Sequence, residues 1–188
     1  MNRTDKSIVL IGMMGVGKSS VAHRLQRRTG LAGFDIDEIV ISKFGLSIPE
    51  IFSEYGEERF REAETEALRS LAMPEQAIIV TGGGIVLREE NVNLLRRLGV
   101  VIWLTADEET LFKRASKAGS RPLLRSKRPR RAFARTLQAR LPLYAKIADI
   151  RVDTSVLTEG EVAVAVLSRL KRLSRNRRPG SSIPATVQ

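Results

Sequence analysis

The sequence contains no cysteine and only one histidine, His23, among its 188 residues. Disulfides, thiolate catalysis and cysteine zinc sites are therefore excluded, and a single imidazole cannot build a histidine metal cluster. A long apolar stretch is also missing near the N-terminus, where the run Ile8–Ile11 has only the length of a strand. We therefore expect no signal peptide, no membrane partner and a cytoplasmic location.

Aromatic residues make up only 5% of the chain, which leaves little material for stacking on nucleobases. The net charge of +11 is concentrated in two segments, because residues 121–131 and residues 169–178 each contain six basic residues and no acidic residue. Outside those segments, 20 basic residues stand against 21 acidic ones. Since the excess lies in one loop and one tail, and not in a stripe across a fold, we expect no nucleic-acid partner.

The length and a hydrophobic content of 43% predict one compact domain, which we place at residues 1–173. Residues 174–188 are basic and rich in serine, proline and glycine, and are predicted to be a disordered tail. Candidate strands are Ile8–Ile11, Gly33–Asp35, Ala77–Thr81, Val100–Leu104 and Ile150–Val152. Candidate helices span 17–29, 36–43, 48–53, 57–72, 89–97, 107–116, 130–146 and 159–173. This alternation predicts a parallel sheet with helices on both sides.

Residues Gly12–Ser19 match the phosphate-binding pattern G-x-x-x-x-G-K-[ST] between a candidate strand and a candidate helix. The glycines let backbone N–H groups converge on phosphate oxygens, and the helix N-terminus adds partial positive charge. Lys18 is predicted to reach the β- and γ-phosphates, and the Ser19 hydroxyl to bind Mg²⁺. The alternative, a glycine turn with an incidental lysine, is disfavoured by the strand–loop–helix context.

Two further clusters follow candidate strands and are expected at the same edge of the sheet. Asp35 and Asp37 share one face of a strand end, so they could serve a metal ion and accept a proton, or one of them could merely cap the next helix. The triplet Gly82–Gly84 could let a ligand approach the main chain closely, or form a plain turn. From these residues alone, both alternatives stay open.

Arginines dominate the other two clusters. Arg61 and Glu64 are three residues apart on one candidate helix, where the carboxylate could orient the guanidinium toward an anionic ligand, or form a solvated helix pair. The arginine-rich loop at about 118–131 is predicted to be a mobile lid over phosphates, although some of its basic residues must simply be solvated.

Taken together, these segments resemble the motif series of shikimate kinases, in the same order along the chain. The resemblance covers about residues 6–173, and the six motifs in this order are far more specific than any one of them alone. Its segments are Gly12–Ser19, Asp35-x-Asp37, Phe60-Arg61-x-x-Glu64, Gly82–Gly84, Arg121-Pro122-Leu123-Leu124 and Arg140-x-Pro142-Leu143-Tyr144. This family is expected to have a five-stranded parallel sheet of order 2-3-1-4-5, a closing lid, and a kinase activity that uses ATP.

The resemblance implies a role for each matching residue. Nucleotide phosphates are assigned to Gly15, Val16, Gly17, Lys18, Ser19 and Ser20, and Mg²⁺ to Ser19 and Asp35. Arg121 is expected to come down with the lid as a catalytic and phosphate-binding residue, and Arg114 to pack against adenine. Shikimate is assigned to Asp37, Arg61, Gly83 and Arg140, with Asp37 accepting the proton of the attacking hydroxyl. Lys18 is expected to stabilise charge during transfer.

The resulting hypothesis is a three-layer P-loop kinase that phosphorylates the 3-hydroxyl of shikimate, as a monomer with ATP and Mg²⁺. The nearest alternative is another small-molecule kinase, such as a gluconate kinase, which should lack the paired Arg61 and Arg140. A nucleic-acid-associated or regulatory P-loop protein would gain nothing evident from the Asp35/Asp37 pair. Segment 153–157 lacks an arginine that some relatives place near adenine, so base contacts there stay open.

Overall fold

The computed structural model describes residues 6–71, 76–117 and 127–175. Within them, five parallel strands form one sheet in the order β2-β3-β1-β4-β5, which confirms the predicted order. The strands are β1 (Ser7–Ile11), β2 (Ala32–Asp35), β3 (Ala77–Val80), β4 (Gly99–Thr105) and β5 (Ile150–Asp153). Each strand contains the run predicted for it, except that β3 ends at Val80, one residue before the predicted end at Thr81.

The central strands β1 and β4 are buried along their whole length, because helices cover both faces of the sheet. Leu10 of β1 lies beside Val80 of β3 and Ile102 of β4. These three side chains belong to one hydrophobic core, whereas their neighbour Val9 belongs to a second core on the other face. The three layers predicted from sequence are therefore present.

Seven α-helices and one short 3-10 turn connect and cover the strands of the described part. The helices are α1 (Lys18–Thr29), α2 (Ile36–Phe44), α3 (Ile48–Ser70), α4 (Glu89–Leu98), α5 (Glu108–Lys117), α6 (Pro129–Ile147) and α7 (Glu159–Arg175). The two helices predicted at 48–53 and 57–72 are the two arms of α3, which meet at the non-helical residue Gly56. The turn Ile85–Leu87 was not predicted.

Two predicted segments extend outside the described residues. The predicted lid at 118–131 is described only from residue 127 onward, and its last residues form the first turn of α6. At the other end, α7 continues to Arg175, two residues beyond the predicted domain end at 173, and residues 176–188 lie outside the description. Among the helices that the structure describes, none has the length and apolar character needed to cross a bilayer.

Candidate active site

The Gly12–Ser19 loop connects β1 to α1 at the carboxyl edge of the sheet. Lys18 Nζ donates hydrogen bonds to the carbonyl oxygens of Gly12, at 2.8 Å, and Met13, at 3.2 Å, so the lysine lies against its own loop. No acidic residue lies in the first turn of α1 to compete for the partial positive charge of the helix N-terminus. The loop therefore offers an ammonium group and a helix end to one anion.

A cavity of about 870 Å³ opens over this loop, and we call it the P-loop pocket. Its lining includes Gly15, Val16, Gly17, Lys18, Ser19, Ser20, Asp35, Asp37 and Arg114. Arg114 Nη1 donates to Thr154 Oγ1 at 3.2 Å, and Nη2 donates to the Thr154 carbonyl oxygen at 3.1 Å. These bonds fix the guanidinium at the wall of the pocket, beside the segment that leads to α7.

The two oxygens of the Asp35 carboxylate have different partners, and one of them confirms the helix cap. Oδ1 accepts a hydrogen bond from the Asp37 backbone N–H at 3.0 Å and so caps α2. Oδ2 lies 3.3 Å from the Ser19 hydroxyl. A hydroxyl and a carboxylate oxygen this close fit Mg²⁺, which takes few protein ligands and fills its octahedron with waters and substrate phosphates. Such a site needs no group of three or more acidic, histidine or cysteine ligands, and the described residues contain no such group.

A second cavity, of about 640 Å³, lies next to the first and is lined by Arg61 and Arg140, the two arginines assigned to shikimate. We call it the arginine pocket. Its lining includes Met14, Asp37, Ile48, Phe52, Phe60, Arg61, Glu64, Gly82, Gly83, Gly84 and Arg140. Phe52 and Phe60 form an apolar wall, with their ring centroids 4.9 Å apart.

Arg61 is held by two carboxylates of its own helix. Its Nη1 donates to Glu64 Oε2 at 2.7 Å, and its Nη2 donates to Glu57 Oε1 at 2.8 Å. The Arg61 side chain is only 10% exposed. The guanidinium is thus oriented before any ligand arrives, which excludes the solvated helix pair as the description of this site.

Glu64 is completely buried and lines the arginine pocket. Burial raises its pKa from 4.5 to about 7, the Arg61 guanidinium acts in the opposite direction, and the nearby Asp37 carboxylate raises the pKa further. Its second oxygen, Oε1, has no hydrogen-bond partner among the described residues. A polar ligand in this pocket would therefore meet a buried carboxyl oxygen beside the arginine.

The glycine triplet packs directly against these charged groups. A Cβ atom on Gly82 would lie 2.6 Å from Asp37 Oδ1 and 2.8 Å from Glu64 Oε1. A Cβ atom on Gly84 would lie 2.4 Å from the Arg61 guanidinium. A side chain at Gly82 or Gly84 would force these charged groups to move, so the triplet packs against the wall of the pocket and is more than a plain turn.

The two pockets meet at a shared border. Met14, Asp37, Gly82 and Gly83 line both of them. A phosphate-binding loop on one side and an arginine-lined cavity on the other thus share one carboxylate, Asp37. This is the arrangement required to hold a phosphoryl donor and an anionic acceptor next to each other.

Comparison with known proteins identifies the family. The family described as Shikimate kinase matches residues 14–171. The chain belongs to the shikimate kinase family. The shikimate kinase of Thermodesulfovibrio yellowstonii is 41% identical over 172 residues, which are 92% of this chain and 99% of that protein. The shikimate kinase of Moorella thermoacetica is 46% identical over 165 residues, which are 88% and 92% of the two chains.

Solved structures agree with this shikimate kinase assignment. Shikimate kinase from Acinetobacter baumannii in complex with shikimate has a TM-score of 0.86 and 31% identity, and the match covers 94% of this chain and 97% of that one. A gluconokinase from Sinorhizobium meliloti has a TM-score of 0.59 and 20% identity, a likeness that concerns the fold alone. The resemblance inferred from the motif series is thus confirmed at the level of the family.

The structure brings nearly all predicted site residues to one edge of the sheet, apart from Arg121, which lies outside the described residues. Sequence reasoning missed Glu57 and Met14. Glu57 precedes Arg61 by four residues, the helical spacing that places two side chains on one face, so this contact could have been found. Met14 carried no such signal, because its place between the pockets depends on how the loop folds.

Proposed function

We propose that this chain transfers the γ-phosphoryl group of ATP to the 3-hydroxyl of shikimate. The observation that carries the proposal is the shared border of the two pockets, with Lys18 on the donor side and both Arg61 and Arg140 on the acceptor side. Shikimate is a small carboxylate with several hydroxyls. Two arginines and one aspartate are the side chains that such a ligand requires.

On the donor side, the loop residues Gly15 to Ser20 hold the phosphates of ATP, and Lys18 stabilises the charge that develops on them. Ser19 and Asp35 would hold Mg²⁺, which would neutralise part of the phosphate charge. Arg114 packs against adenine from the wall of the P-loop pocket. Arg121 is proposed to reach the phosphates when the lid closes.

On the acceptor side, Arg61 and Arg140 bind the carboxylate of shikimate, and the Gly83 amide contacts a hydroxyl. Asp37 accepts the proton of the attacking hydroxyl. The oxygen of that hydroxyl forms a bond to the γ-phosphorus while the bond from the γ-phosphorus to the β,γ-bridging oxygen breaks, and ADP leaves with that oxygen. Asp37 is suited to this task because it lines both pockets.

We also propose that the enzyme works as a monomer. Its dependence on ATP suits a cytoplasmic enzyme. Size-exclusion chromatography with light scattering tests the monomeric state, and a dimer that persists on dilution would contradict it.

The decisive experiment is coupled measurement of ADP release with ATP and Mg²⁺, comparing shikimate with gluconate and with nucleoside monophosphates. We expect stimulation by shikimate alone, and the product should carry phosphate on the 3-hydroxyl by NMR. Stimulation by gluconate and not by shikimate would favour the alternative small-molecule kinase. The paired arginines Arg61 and Arg140 argue against that outcome, because gluconate kinases are expected to lack them.

A further inference from the structure

Tyr144 of α6 is a completely buried tyrosine whose hydroxyl reaches the glycine triplet. Its Oη donates a hydrogen bond to the carbonyl oxygen of Gly83 at 2.5 Å. Buried tyrosine hydroxyls need a partner, and here the partner is the main chain of a residue that lines both pockets. The motif series contains Tyr144, but the family resemblance implies no role for it.

The same hydroxyl also faces Arg140. Burial raises the pKa of Tyr144 to about 12, while the positive charge of the nearby Arg140 acts in the opposite direction. The phenol therefore stays protonated at neutral pH, with its proton available to Gly83 and its oxygen available to Arg140. Independently, a Cβ atom on Gly83 would lie 3.5 Å from Arg140 Nη1, which places the arginine against the same turn.

The ring that carries this hydroxyl is fixed by the centre of the sheet. Tyr144 stacks on Trp103 of β4, with ring centroids 6.0 Å apart and planes inclined by 30°. It follows Arg140 by four residues on α6, so the two side chains share one face of that helix. The hydroxyl thus connects the central strand β4 to two parts of the arginine pocket, the main chain of Gly83 and the side chain of Arg140.

We propose that Tyr144 is a positioning residue for the acceptor: its hydroxyl holds the Gly83 turn and the Arg140 guanidinium in the geometry that binds the acceptor carboxylate and hydroxyls. This inference rests on the proposed function, because it concerns how the same pocket binds its substrate. A glycine turn has more backbone freedom than any other sequence, and arginine has many rotamers. One hydroxyl that restrains both reduces the ordering needed when the acceptor binds.

The test is Tyr144→Phe, which removes only the hydroxyl and keeps the ring against Trp103. We expect the KM for shikimate to rise about tenfold, as for the loss of one buried hydrogen bond, and the KM for ATP to stay within a factor of two. Tyr55→Phe is the matched control, because Tyr55 is half-exposed and does not line the arginine pocket. It should leave both constants unchanged.

Direct binding provides a second readout. Trp103 is the single tryptophan of the chain and stacks on Tyr144, so its fluorescence should report shikimate titrations without nucleotide. The dissociation constant for shikimate should rise in Tyr144→Phe as the KM does. In an Arg140→Lys background, removal of the hydroxyl should have a smaller effect, because part of its task is to hold the guanidinium.

Three outcomes would overturn the proposal: an unchanged KM for shikimate, an equal rise in the KM for both substrates, or lower thermal stability with normal kinetics. The last two would indicate a merely structural role. Fully additive effects of Tyr144→Phe and Arg140→Lys would overturn the part that concerns Arg140. Failure of the wild-type enzyme to release ADP in response to shikimate would instead refute the proposed function.

Discussion

At the scale of single residues, the carboxylates Asp35 and Asp37 have separate environments although they are two residues apart. Asp35 uses one oxygen as a helix cap and directs the other to Ser19, whereas Asp37 lines both pockets. The sequence left a choice between cap and ligand for this pair. The structure shows the cap, and because a carboxylate has lone pairs on both oxygens, the cap does not prevent the second oxygen from binding the proposed metal ion.

The first prediction concerns Asp37→Asn, which keeps the size of the side chain and removes its basicity. We expect kcat to fall by about 100-fold or more, the usual contribution of a general base, while the dissociation constant for ATP changes little. Rapid-quench turnover and nucleotide titration measure the two quantities. Glu38→Gln, at the exposed neighbouring position on α2, is the control and should keep full activity. Unimpaired turnover of Asp37→Asn would exclude this carboxylate as the proton acceptor.

A second prediction follows from the buried Glu64. In the folded protein the pKa of the Glu64 carboxyl is about 7, whereas in the unfolded chain it is near 4.5. Between those pH values the folded state binds more protons, so the contribution of Glu64 to stability is largest below pH 4.5 and is lost as the pH rises toward 7. Glu64→Gln cannot titrate, and its free energy of unfolding should therefore decline less over this range than that of the wild type.

Urea unfolding at pH 4.5 and at pH 7.5 gives the measurement, with the wild type and the variant compared at each pH. Glu62→Gln serves as the control, since Glu62 is an exposed carboxylate on the same helix and should retain the pH dependence of the wild type. Parallel curves for Glu64→Gln and the wild type would mean that Glu64 is already ionised in the folded protein well below pH 7.

At the scale of elements, the central strands β1, β3 and β4 were predictable because their apolar runs are continuous. Burial on both faces of a parallel sheet requires such runs, as in Val100–Leu104. The 3-10 turn at Ile85–Leu87 was missed for a related reason: three apolar residues after a glycine triplet have no periodicity of their own. Its residues Ile85 and Val86 are buried by contacts with α4 and α6, which no local pattern encodes.

Helix α3 provides the third prediction, because its two arms meet at Gly56 with φ 78° and ψ 169°. Residues other than glycine rarely adopt this conformation, so Gly56→Ala should destabilise the fold by about 1–3 kcal/mol. Glu57 and Arg61 follow directly on the second arm, and a shift of that arm should also raise the KM for shikimate. Thermal unfolding and steady-state kinetics measure the two effects.

Gly30→Ala separates those effects. Gly30 ends α1 with a left-handed φ of 74°, so alanine there should also destabilise, by about 1 kcal/mol. It lines neither pocket, and the KM for shikimate should stay normal. If both glycine variants raise this KM alike, the angle between the two arms of α3 has no special part in acceptor binding.

At the scale of the whole molecule, the site is assembled from segments that are distant in sequence. The phosphate-binding loop follows β1, the aspartates lie at the end of β2 and the glycine triplet follows β3, so the parallel sheet brings all three to one edge. Arg61 and Arg140 arrive on α3 and α6. This explains why the motif residues could be predicted, since each occupies a strand end or a helix face, whereas contacts between segments, such as that of Tyr144 with Gly83, could not.

The last prediction treats the two pockets as separate binding units that share a border. A ligand that binds only the folded state raises the midpoint of thermal unfolding, so each substrate should stabilise the wild-type protein. Lys18→Ala should abolish the shift produced by a non-hydrolysable ATP analogue with Mg²⁺ and preserve the shift produced by shikimate. Arg140→Ala should do the reverse, because loss of a charge-assisted hydrogen bond weakens binding by about 10- to 100-fold. If either variant loses both shifts while it stays folded by circular dichroism, the pockets do not bind their ligands independently, and the assignment of donor and acceptor sides is wrong.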